Sequence, residues 1–83
     1  MTALSHRDRA ILRAVAAGRG TLRCGYVPDL YVDGVACCDQ HAVHSLARAG
    51  LLCAAREGVP GAVVPAALTE LGNVALDASG EAA

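Results

Sequence analysis

No phenylalanine or tryptophan and only two tyrosines occur in these 83 residues. Any core must therefore be filled by Leu, Ile, Val and Ala, and much of the 54% hydrophobic share is Ala and Val. Small chains bury a small fraction of their surface and are only marginally stable. The length supports one domain with one modest core and excludes a second. So thinly filled a core makes a self-associating apolar face an expectation.

All seven basic residues are Arg, and the formal net charge is −1. A chain that holds nucleic acid by bulk electrostatics needs clustered positive charge, which this sum does not supply. The distribution says more. Through Gly25 the chain carries Arg7, Arg9, Arg13, Arg19 and Arg23 against Asp8 alone, whereas from Tyr26 onward two Arg face seven acids. One end is basic and the other acidic.

No stretch approaches the roughly 20 apolar residues that span a bilayer, and the N-terminus does not read as an export signal. The expectation is a cytoplasmic protein without a membrane role. In a reducing compartment Cys24, Cys37, Cys38 and Cys53 read as free thiols or metal ligands rather than disulfides.

Ser5 with Asp8 three residues later reads as a capping box opening a helix over 6–17, with Ile11, Ala14 and Val15 on one face and Gly18 closing it. Between Thr21 and Val35, Gly25, Pro28 and Gly34 interrupt any helical period. The segment reads as a strand, a turn and a second extended piece, with a short helical turn near Asp29 as the alternative. Asp29, Tyr31 and Asp33 alternate as the solvent face of a strand would. Asp39 is placed to N-cap a helix over 40–49, with Ala42, Val43, Leu46 and Ala49 as its apolar stripe and Gly50 as its stop. Residues 51–55 and 62–64 read as two strands around a hairpin tip at 57–61, with Pro65 marking an edge or the strand's end. Thr69 is placed to N-cap a last helix ending near Leu76, with Gly72 weakening its middle. The expected domain is 4–76, followed by a flexible tail over 77–83.

Helix, Gly turn, strand, Gly-Pro tip, strand and capped helix is the order of the second half of a winged helix-turn-helix domain. Leu46-Ala47-Arg48-Ala49-Gly50-Leu51-Leu52 resembles the end of a recognition helix and the start of a wing, and Leu68-Thr69-Glu70-Leu71-Gly72 is similar to the Leu-Thr-Glu-x-Gly stretch after the wing in MarR-like regulators. The resemblance covers roughly 39–76. It implies an α+β fold, a small winged-helix-like domain of about three helices and a short β-sheet with a wing hairpin over 51–65. It implies further that helix 40–49 enters the major groove of double-stranded DNA while the wing touches the backbone. Gln40, His41, His44, Ser45 and Arg48 would then lie near bases or phosphates, with Arg56 on the wing; the basic first helix adds Arg7 and Arg9. The stretch that would hold the family's second helix is the one that reads as extended.

Cys37, Cys38, His41 and His44 fall within eight residues, and Cys24 joins them if the extended segment folds back, so Cys24, Cys38, His41 and His44 are the candidate zinc set. Against it, adjacent cysteines in an extended chain point to opposite sides, and no Cys-x-x-Cys knuckle is present. The alternative is a buried thiol with exposed histidines, and no cofactor is expected. A Cys38–His41 pair lacks an oxyanion hole or orienting third group, and no Gly-rich phosphate loop joins a strand to a helix, so no enzyme is expected. Two functions remain open: a DNA-binding or transcription-regulating module, expected as a homodimer because each copy offers few cations, or a module of the same shape that binds a protein, its own copy included.

Overall fold

The computed structural model describes residues 4–25 and 28–78. Ser5 caps α1 (His6–Ala16) through a complete capping box: its Oγ accepts from the Asp8 N–H at 3.0 Å and Asp8 Oδ2 accepts from the Ser5 N–H at 3.1 Å. The expected start was correct. β1 (Gly20–Arg23) follows, then β2 (Asp29–Val32) and β3 (Val35–Ala36), α2 (Gln40–Arg48), β4 (Leu52–Ala54), β5 (Val63–Leu68) and α3 (Glu70–Ala78). Among the described residues this makes three helices and one five-stranded antiparallel sheet, ordered β3-β2-β1-β5-β4. The fold is α+β with a winged-helix-like layout, as expected. No helix among the described residues is long and apolar enough to cross a membrane.

The segment before α2 holds a hairpin and not a helix, so α2 has no helix-turn-helix partner among the described residues. The reason is local. Leu30-Tyr31-Val32 favours extended backbone, and Asp33 and Gly34 both take positive φ (53° and 81°), the two-residue turn that suits the twist of a hairpin. Asp29 opens β2 rather than a helical turn. Cys37 N–H continues the ladder by donating to the Leu30 carbonyl at 2.9 Å.

β5 is longer than expected because it changes partners. Val63, Val64 and Pro65 pair with β1, whereas Ala66, Ala67 and Leu68 pair with β4. Pro65 sits at the changeover: its carbonyl accepts from the Ala55 N–H at 2.8 Å, but it has no N–H to return the bond, so the β4 ladder stops there while β5 runs on. Pro65 thus ends a ladder, not the strand. The wing loop is tied back to β1, with Cys24 N–H donating to Ala62 O at 2.7 Å and Gly61 N–H to Cys24 O at 2.8 Å.

α1 packs on β1 and β5, α2 on β2 and β4, and α3 on β5 and α1. Period-two alternation sends Leu22, Leu30, Val64 and Ala66 toward the helices and leaves Thr21, Arg23, Tyr31, Val63 and Pro65 on the other face. Ile11, Leu12, Val15, Val43, Leu46, Leu51 and Leu52 complete a core without an aromatic ring. Leu12, Leu30 and Val43 are wholly inaccessible, and burial of side chains this size stabilises by about 1.5–3 kcal/mol each.

Leu68-Thr69-Glu70-Leu71-Gly72 has a structural use here. Thr69 Oγ1 accepts from the Gly72 N–H at 2.9 Å and donates to the Gly50 carbonyl at 2.5 Å, capping α3 and fastening it to the turn behind α2. That turn closes with Gly50 at φ 78°, Gly50 N–H donating to Ala47 O and Leu51 N–H to Leu46 O. Gly72 is buried, and a Cβ there would lie 1.9 Å from the Leu51 carbonyl oxygen. The helix accepts a poor helix former because nothing larger fits. α3 continues to Ala78, so Asp77 and Ala78, expected in the tail, belong to its last turn; the rest of that tail lies outside the described residues.

Gly72→Ala is expected to destabilise the domain by at least about 2 kcal/mol, because backbone must move to relieve the overlap. The neighbouring exposed Asn73→Ala should stay within about 0.5 kcal/mol. Urea unfolding midpoints of the two variants check the contrast.

Candidate nucleic-acid interface

α2 begins at Asp39, whose Oδ1 accepts from the Ala42 N–H at 2.9 Å. Its other oxygen, Oδ2, accepts from Arg7 Nη1 at 2.8 Å, which ties the first turn of α1 to the first turn of α2. The Asp39 carboxyl is held below its ordinary value, chiefly by the hydrogen bond from Arg7 and next by that from Ala42, and the same pairing raises Arg7.

Gln40 is spent inside the fold. Its Oε1 accepts from the Leu30 N–H at 3.0 Å, and its Nε2 donates to the carbonyls of Leu30 and Cys37, each at 2.9 Å. A planar amide so occupied has no bidentate edge to offer a base. His44 is half-buried, with Nε2 3.3 Å from Asp29 Oδ1, bracing α2 against β2. Arg9 donates to the Leu4 carbonyl at 3.2 Å and lies 2.9 Å from His6 Nδ1.

The structure leaves His41, Ser45 and Arg48 exposed along one stripe of α2, at intervals of four and three residues. Arg56 is exposed in the wing loop, and with Ala47 of α2 it lines an open groove of about 780 Å³ whose floor includes Leu22 and Leu52. The groove meets α2 at Ala47, and His41, Ser45 and Arg48 are not among its lining residues. Neither Arg48 nor Arg56 makes an ion pair with another described residue. Arg19 and Arg23 are spent elsewhere: Arg19 Nε lies 3.8 Å from Asp33, and the Arg23 guanidinium sits 5.7 Å from the Tyr31 ring centre.

The candidate zinc residues do not converge. Among the described residues no three His, Cys, Asp or Glu side chains are grouped to hold a metal. Cys37 packs against the core while Cys38 is exposed, as alternation at adjacent positions dictates. Cys24 lies by the wing, where its sulfur would be 3.0 Å from a Cβ at Gly58. All four thiols are free.

Asp29 and Asp39 are the residues whose part in the site the sequence reading missed. Asp39 was recognisable as a cap, but its second role needs Arg7, 32 positions away.

Two variants test this network. Gln40→Glu turns carboxylate oxygens toward two carbonyls and should cost about 2 kcal/mol at neutral pH, with partial recovery when the new acid is protonated. Arg7→Gln should lower stability near neutral pH, and the gap to the parent should close as acid protonates Asp39. The sign follows from the depressed Asp39 value: its stabilisation is present above the ordinary carboxylate range and is lost as pH falls through the lower folded value. Urea midpoints across pH read both.

Comparison of the chain with protein-family models, with curated proteins and with solved structures gives no match in any of the three. The exposed chemistry of α2 and the wing is what a functional reading builds on.

Proposed function

We propose that this chain is a winged-helix-like module that binds double-stranded DNA, a MarR-like transcription regulator in kind, working in the cytoplasm as a homodimer. The observation that carries the reading is the exposed stripe of His41, Ser45 and Arg48 on α2, with Arg56 exposed in the wing loop that follows. An α-helix fits the major groove, and Arg and Ser are suited to base edges and phosphates. Two cations per copy are few, and a dimer doubles them. The β2–β3 hairpin precedes α2 in the chain and holds its first residue, Gln40, through Leu30 and Cys37.

A second reading draws on different residues. Leu71 and Val74, three apart on α3, are 53% and 57% exposed, and Arg7, Arg19 and Arg23 are engaged at the surface by Asp39, Asp33 and Tyr31. Both favour a module that associates with protein, and that reading expects concentration-dependent self-association in sedimentation without DNA binding.

Titration of mixed-sequence duplex DNA at several salt concentrations separates them. DNA binding should weaken with salt along a log–log line, and Arg48→Ala and Arg56→Ala should each flatten its slope by about 1 per bound copy. No salt-dependent binding at low ionic strength would sink the DNA reading.

A further inference from the structure

We infer that Asp39 acts as an internal stand-in for a DNA phosphate and holds Arg7 out of the interface, an autoinhibitory contact at the N-terminus of α2. The inference rests on the DNA-binding reading.

The Asp39 carboxylate collects one N–H from the first turn of α2, Ala42, and one guanidinium N–H from Arg7 on α1. A helix N-terminal amide and an arginine form the donor set that receives a phosphate oxygen. Here the protein fills it with its own anion. The pair lies at the surface, with the Arg7 side chain 65% exposed and that of Asp39 23%. Water and salt screen a pair so placed, so Arg7 can exchange one oxyanion for another.

Position gives the contact its consequence. Arg7 stands at the end of α2 where the exposed stripe begins with His41, two residues past the cap. Arg48 and Arg56 have no acid among the described residues within salt-bridge reach, while Arg7 has one at 2.8 Å. Cancelling the charge of Asp39 would return one cation per copy to the N-terminal end of α2. Asn caps helices about as well as Asp, so the charge can be removed with the cap retained.

Mixed-sequence duplex DNA is the probe, titrated with wild type, Asp39→Asn, Arg7→Gln and the double variant over a range of salt. Asp39→Asn should bind about five- to tenfold tighter at about 0.1 M salt, with the log–log slope steeper by about 0.9 per copy. The gain should vanish in Asp39→Asn/Arg7→Gln. Asp39→Ser, another cap-competent variant, should repeat it and carries the test if the Asn variant melts early. An Asp39→Asn protein that binds no tighter than a binding wild type overturns this inference alone. A gain that persists without Arg7 also overturns it, because loss of repulsion would then account for the effect. If neither wild type nor Asp39→Asn binds at low salt, the DNA reading falls and takes the inference with it.

Discussion

The side-chain amide of Gln40 is the contact on which the arrangement of the rest depends. Leu30 is wholly buried, and β3 is only two residues long, so the ladder beside β2 serves the Leu30 carbonyl, through the Cys37 N–H, and leaves the Leu30 N–H to a side chain. Leaving such groups without partners in a core costs about 1–3 kcal/mol each. Gln40 acts as the missing neighbour, donating to and accepting from Leu30 as an adjoining strand would, and it also holds the Cys37 carbonyl. That fixes the first residue of α2 on the hairpin. Val43 and Leu46, one and two turns further on, then fall on the core, and the opposite stripe is turned outward.

How far this was legible depends on the range of each interaction. Helix ends were readable because their determinants are local: Ser5 with Asp8, Asp39 with Ala42, Thr69 with Gly72, and Gly50 at the turn. The β2–β3 hairpin also had a local signal in Asp33-Gly34. A two-residue β3 is too short to show alternation, however, so the second extended piece read as one strand. The extent of β5 was hidden for another reason. Nothing around Pro65 reveals that one strand pairs with β1 in its first half and β4 in its second, since those partners lie 40–44 and 12–16 residues back in the chain.

The candidate site was half legible in the same sense. Helical spacing alone assigns His41, Ser45 and Arg48 to one face. It could not reveal that Gln40 is consumed by a strand ten residues earlier, or that His44 reaches Asp29 fifteen residues away. Polar residues at the start of a helix look alike in sequence whether they face solvent or brace the fold; partners distant in the chain decide between the two.

The charge asymmetry of the sequence acquires a different meaning in the folded chain. A basic first segment ahead of an acidic remainder suggests a free basic face, yet Arg7 meets Asp39, Arg19 approaches Asp33 and Arg23 lies over Tyr31. The early arginines largely fasten α1 and β1 to later elements. Exposed pairs of this kind are screened and individually weak, but Asp39 and Asp33 each set a negative charge beside one of these arginines. Arg48 and Arg56, few as they are, come from the acidic part of the sequence and form no ion pair with another described residue. A surface for an anionic partner is therefore defined less by how many arginines the chain has than by which of them the fold leaves without an acid.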